Sequence, residues 1–283
     1  VKISKILGYN IWGINVFSSF VFFLGFYFLF FREKLFWLAL CIALPYLIFV
    51  VSMGYTRQSI SIGIGMILIS QIRSGNIFNQ IVLLTLCLLF HYSSIIYIFF
   101  ILYKIKNIFF KILVFIISFL LLFFLTDQFA DLERFLLYYL IEGKQSFGAL
   151  PRLIFAYLPI IFFMFNLKKI KNISDNYLFE SYSIIIIILS IIIFFSSTTA
   201  DRLLLYLLPI KILLFLKFIE IVKPKLQNFY KFSLVFLFFL SFHVQFTYSS
   251  NFKEWIPYKN ILLSTQYDNN NNYKGFWLYD QSN

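Results

Sequence analysis

The chain has 283 residues, 61% of them hydrophobic and only 13% charged, with a net charge of +12. A soluble domain carries about 25% charged residues, so this composition excludes a soluble enzyme and points to a polytopic membrane protein. Cys41 and Cys87 both lie inside apolar runs, which argues against a disulfide framework or thiolate metal centre, and interhelical lysines explain the positive charge better than nucleic-acid binding does.

Apolar runs are expected at about 11–31, 35–53, 58–72, 77–103, 108–126, 151–167, 178–197, 203–222 and 229–248. Most are long enough to cross a hydrocarbon layer of about 30 Å as a helix. The predicted fold is therefore all-α, a transmembrane bundle of about 9–10 segments in one domain over residues 1–248. An outer amphipathic loop is expected at 127–150, where Phe129, Leu132, Phe135, Leu136, Tyr139 and Leu140 recur at helical spacing. A polar tail at 249–283 is expected to face outward. The first residue is Val1 and no cleavable signal peptide is recognisable, so an alternative initiation codon or a truncated start is expected.

Lysine turns mark the inner face: Lys104-Ile105-Lys106, Lys168-Lys169-Ile170-Lys171 and Lys223-Pro224-Lys225. The run at 77–103 then decides the rest. As one crossing it places Arg57 inside. As two short passes, or a re-entrant pair bending near Phe90-His91-Tyr92-Ser93-Ser94, it places Arg57 outside and Arg32, Lys34 and Arg73 inside. The second version is preferred, because it suits the positive-inside count and gives His91 a polar turn instead of lipid.

With that topology the six arginines of the chain sort themselves. Arg57, Arg134, Arg152 and Arg202 face outward, and three of these stand at helix starts. Gly54-Tyr55-Thr56-Arg57-Gln58 opens one helix. Pro151-Arg152 follows Ser146-Phe147-Gly148, and Pro favours a first turn. Thr198 and Asp201, ahead of Arg202, have the spacing of a capping box. Helix N-termini attract anions, and arginine grips phosphate through paired hydrogen bonds, so three such starts on one face would bind a diphosphate. Each residue also has a plainer reading. Arg57 could snorkel to lipid headgroups, Asp201-Arg202 could be a cap with a local ion pair, and His91 could be a structural histidine in a bent helix. His243 reads as a core histidine. No phosphate loop, metal-ligand spacing or nucleophile elbow is present, so neither a metal nor another cofactor is expected.

At these residues the chain resembles the EpsG-like family of exopolysaccharide and O-antigen polymerases (Wzy-type). The matching elements are Tyr9-Asn10-Ile11-Trp12-Gly13-Ile14-Asn15, Pro45-Tyr46-Leu47 leading into Val51-Ser52-Met53-Gly54-Tyr55-Thr56-Arg57-Gln58, Phe90-His91-Tyr92-Ser93-Ser94, Ser146-Phe147-Gly148-Ala149 with Arg152, and Thr199-Ala200-Asp201-Arg202 with Tyr206 and Pro209. Since the family usually has further membrane segments ahead of these, the chain is expected to be N-terminally short.

The resemblance implies a metal-independent membrane glycosyltransferase. It would join oligosaccharide repeat units carried on undecaprenyl diphosphate at the outer face of the bacterial cytoplasmic membrane. Its partners would be that substrate, membrane lipids, and a chain-length regulator and flippase of the same pathway. On this reading Arg57, His91 and Asp201 are the catalytic candidates, with His91 as base and Asp201 second. Tyr55, Arg57, Gln58, Ser146, Gly148, Arg152, Arg202 and Tyr206 are the binding candidates. The alternatives are a lipid-linked oligosaccharide flippase or exporter, and a ligase-like enzyme.

Overall fold

The computed structural model describes residues 10–74, 76–125, 146, 148–165 and 176–248. The amphipathic segment expected at 129–140, with Arg134, and the tail at 249–283 lie outside the described residues. Among the described residues every regular element is helical. In chain order these are α1 (Asn10–Phe30), α2 (Phe36–Ala43), a wide-wound π segment (Leu44–Ser52), α3 (Thr56–Ser74), α4 (Ile77–Phe90), a 3-10 segment (Tyr92–Tyr97) and α5 (Ile98–Lys104). They continue as α6 (Ile108–Leu125), α7 (Ala149–Met164), α8 (Asn176–Phe195), α9 (Ser197–Tyr206), α10 (Leu208–Ile221) and α11 (Pro224–Tyr248). Two compact units divide the chain, residues 1–240 and 241–283.

Several expected single segments are broken, each for a local backbone reason. The run at 35–53 changes winding at Pro45, which has no N–H to continue the α ladder. The run at 203–222 is two helices that meet at Leu207, whose N–H bonds back to Leu204 O (3.2 Å) just ahead of Pro209. The run at 77–103 breaks at His91, whose extended backbone (φ −160°, ψ 124°) separates α4 from the 3-10 segment. α4 and the 92–104 stretch are thus two short helical stretches that run to His91 and back, Lys104 returning to Ile72 O.

That break settles which residues share an end of the bundle. The chain turns at 53–56, at His91, before α7 and between α8 and α9, all at one end. The turn at 31–35, Asn76 at the start of α4 and the turn at 104–107 lie at the other, where Lys104 Nζ reaches Ile72 O and Lys217 Nζ meets the Glu33 carboxylate at 2.6 Å.

α10 is the central helix. Eleven of its residues, Leu208 to Leu216 with Phe218 and Ile219, are buried, including one charged side chain, Lys211. α1 and α3 cross closely because glycines face each other: a Cβ on Gly25 would run into the Gly63 backbone, and one on Gly63 into that of Val21 and Phe22. Ser59 Oγ donates to Ser18 O at 3.5 Å across the same crossing. Gly65 serves another purpose, since a Cβ there would strike the Tyr97 ring.

The surface is unlike that of a soluble domain. Phe17 and Phe20 on α1, Phe31 just after it, Phe109 and Phe115 on α6, and Phe229 and Phe232 on α11 are each more than half exposed. Gly13–Phe30 and Asn176–Phe195 are long and apolar enough to cross a membrane. His243 is not the core histidine expected; its side chain is exposed, and its backbone carbonyl accepts from Thr247 Oγ1 (2.9 Å).

Candidate functional site

The end of the bundle that carries the helix starts gathers the predicted arginines. The α7 start is built by the short stretch before it. Gly148 is the N-cap, and Arg152 N makes the bond to Gly148 O (3.2 Å) that closes the first turn. Pro151 occupies the third helical position and not the first. Gly148 has an ordinary φ of −81°, so its lack of side chain serves space: a Cβ would lie 3.0 Å from the Arg152 guanidinium.

Across from it, α9 is capped by Ser196 and not by a Thr198–Asp201 box. Ser196 Oγ accepts from Thr199 N (3.4 Å) and pairs with Thr199 Oγ1 (2.8 Å). Because the cap lies two residues earlier, the Asp201 carboxylate is released to reach across to α7. Its Oδ1 forms an ion pair with Arg152, and its Oδ2 accepts from Ser146 Oγ at 2.9 Å. Ser146 N donates to Ser197 Oγ at 2.9 Å, tying the approach to α7 onto the start of α9. Arg152 also lies over the Tyr46 ring, 5.2 Å from its centroid, so the π segment supplies a floor for the guanidinium. The pair is mostly buried, with Arg152 28% and Asp201 15% exposed, so it is worth more than a surface salt bridge.

Arg57, in the first turn of α3, is exposed and makes neither a hydrogen bond nor an ion pair with another described residue. Arg57 and Arg202 both act electrostatically on His91, while Arg152, Asp201 and Arg202 all act on Tyr55. The three guanidinium groups therefore surround one region, with Tyr55 at its edge (40% exposed). Among the described residues, the carboxylate that faces them is Asp201. Among the described residues no group of three metal-ligating side chains occurs.

His91 sits beneath this ring of charge. Its Nδ1 accepts from Ser93 N (3.3 Å), and its Nε2 lies 3.3 Å from the Gln58 side-chain amide. A neutral imidazole cannot accept at both nitrogens, so Nε2 carries the proton. The group opposite it must then be Gln58 Oε1, an orientation that also satisfies an otherwise orphaned buried oxygen. His91 thus spends its donor on Gln58 and its acceptor on a backbone cap, leaving no free lone pair. Asp201 retains unused acceptor positions on both oxygens.

A further layer, of which only Tyr206 was singled out in the sequence, holds His91 in place. Its ring packs on Tyr206 (centroids 5.7 Å), and Tyr97 Oη donates to Tyr206 O at 3.1 Å. Tyr97 fits there because Gly65 leaves room for its ring. Tyr206 is fully buried, so it is a support and not a surface ligand for sugar. Lys211, one turn further along, was also passed over. The available signal was a lone lysine inside the apolar Leu208-Pro209-Ile210-Lys211-Ile212-Leu213 run.

No curated protein and no solved structure shows significant similarity to the chain. A family model described as the EpsG family matches residues 1–260, and the chain therefore belongs to the EpsG family.

Proposed function

We propose that this chain is a membrane-embedded polymerase that joins lipid-diphosphate-linked oligosaccharide repeat units into a surface polysaccharide. The observation that carries this reading is the convergence of Arg57, Arg152 and Arg202 at one end of the bundle, beside a single carboxylate. EpsG family membership, a family associated with exopolysaccharide polymerases, supports the reaction class. The exposed phenylalanines support a multi-pass protein in lipid, because a soluble monomer seldom shows contiguous apolar patches beyond a few hundred Å². On this reading the arginine end faces outward from the bacterial cytoplasmic membrane. An undecaprenyl-diphosphate-linked substrate is held there, and a flippase and chain-length regulator act alongside.

In the proposed step, an acceptor sugar hydroxyl attacks the anomeric carbon of the donor. The bond from that carbon to the diphosphate oxygen breaks, and its electron pair leaves on the diphosphate. Arg57 and Arg202 bind the growing negative charge, and Arg152 orients Asp201. The hydroxyl proton goes to Asp201, which has acceptor capacity to spare, in preference to His91. His91 positions Gln58 in the first turn of α3, and with it the adjacent Arg57. Tyr55 and Ser146 line the approach. Gly148 contributes by keeping the Arg152 guanidinium unobstructed.

One observation keeps the flippase alternative in view: Lys211 is a basic residue buried within a helix, which a transport path would use. Complementation of a polymerase-deficient strain, read as polymer ladders on a gel, tests the proposal. Restored ladders support it. A strain lacking this protein that shows single repeat units on its surface also supports it. No surface repeat units would point to a flippase, and long unattached chains to a ligase.

A further inference from the structure

Lys211 is only 5% exposed, on the central helix α10. Its ammonium lies 4.1 Å from the centroid of the Phe155 ring on α7 and 5.3 Å from that of Phe238 on α11. It makes no hydrogen bond or ion pair with another described residue. Burying an ammonium costs several times what two ring contacts return. The nearest charge makes the position worse, because Arg152 lies within direct electrostatic reach and has the same sign. Asp201 gives little relief, because its negative charge is already balanced by the ion pair with Arg152. Among the described residues, two cations thus stand behind one carboxylate with no second anion beside them.

The walls suggest how one arrives. α11 is seated against the body by ring-on-ring contacts, Phe155–Phe238 (4.9 Å), Phe215–Phe238 (6.0 Å) and Phe218–Tyr230 (5.3 Å). Such contacts slide without leaving a polar group unpaired, and the flanking Phe236 and Phe239 are exposed on the same helix. A long hydrocarbon chain lying along α11 would bring a phosphate attached to its end beside Phe238.

We propose that Lys211 and Arg152 form a buried phosphate subsite, reached from the side between α7 and α11, and that Phe155 and Phe238 are its aromatic gate. The subsite takes a phosphate or diphosphate, either at the head of a polyprenyl chain or free. It rests on the polymerase reading only for the identity of the chain.

The test is binding without turnover, on the full-length protein in detergent or nanodiscs. The probes are polyprenyl diphosphate, neutral polyprenol and inorganic pyrophosphate. Lys211→Met keeps the length and removes the charge. Its unliganded melting temperature should equal or exceed that of the parent, while its affinity for polyprenyl diphosphate falls about tenfold or more. Polyprenol binding should not change. If only polyprenyl diphosphate is sensitive to the substitution, the source is the lipid. If pyrophosphate is equally sensitive, the source is the free anion and the subsite still stands. Unchanged affinity for both anions in Lys211→Met overturns the proposal. If that variant does not fold, amine labelling of Lys211 in the unmodified protein decides. Protection by the diphosphate but not by polyprenol supports the subsite, and equal labelling with and without the diphosphate overturns it. A negative complementation result together with a positive binding result would sink the polymerase reading alone.

Discussion

The two ends of the helical bundle carry similar charges and treat them in opposite ways. At the end formed by residues 31–35, 104 and 176–180, ionic groups find partners within the protein. Lys217 is bridged by Glu33 at 2.6 Å and Glu220 at 3.6 Å, and Lys104 takes the Ile72 carbonyl and lies over the Tyr177 ring. Glu180 accepts from Tyr103 and from Asn176. At the other end, among the described residues, Arg57, Arg152, Arg202 and the buried Lys211 share one carboxylate, Asp201. The difference teaches where structure ends and function begins. Charges that only hold helices together are neutralised locally, whereas an excess kept in place at a cost in stability marks a site that expects a ligand.

The comparison can be broken first at Arg57. Because Arg57 makes no hydrogen bond with another described residue, Arg57→Lys should leave protein level and thermal unfolding unchanged. Polymer formation should nevertheless fall by about 10²-fold or more, the scale of one lost transition-state donor, since lysine lacks the bidentate fork. Normal ladders from this variant would remove Arg57 from the diphosphate role. Next is Arg152→Ala. It leaves Asp201 mostly buried without its cation, so a loss of about 2–3 kcal/mol is expected in chemical or thermal unfolding, together with loss of polymer. The figure sits below that of a fully buried pair because Arg152 is 28% exposed.

The opposite end should respond in the reverse sense. Lys217→Met strips the cation from Glu33, which is 6% exposed, and should cost about 2 kcal/mol of stability. Polymer per folded molecule should stay normal, a separation that quantitative blotting beside the ladder gel can resolve. The smallest effect is expected at Tyr97→Phe, which deletes the hydrogen bond to Tyr206 O and should cost about 1 kcal/mol. A modest drop in activity at unchanged protein level would show that the Tyr97–Tyr206–His91 stack sets the site's geometry.

Much of this arrangement was legible in the residues. Pro45 and Pro209 announce changes of winding, and the Phe90-His91-Tyr92-Ser93-Ser94 cluster announces a break within a long apolar run. Counting turns from that break brings Arg57, Arg152 and Arg202 to one end. Other features were misread for identifiable reasons. Thr198 and Asp201 have capping-box spacing, but Ser196 takes the cap and the Asp201 carboxylate turns to Arg152. His91 resembles a free base by its residue type, yet the hydrogen bonds at both its nitrogens involve Gln58, far along the chain, and Ser93. His243 lies mid-run like a core residue, but its side chain is exposed on a helix apolar on every face.

By itself the amino-acid sequence determined the helical class, the places where helices stop, and therefore which side chains share an end of the molecule. These follow from backbone chemistry and from the reach of an apolar run, both of them local. Tertiary structure alone decided the pairings: Asp201 with Arg152 and Ser146, Tyr97 with Tyr206, and Lys211 between two phenyl rings with no anion among the described residues beside it. The physical reason is that these helices are apolar around most of their circumference, so periodicity does not set their rotation. Packing of side-chain volume, with glycine where backbones or rings must approach, sets it instead.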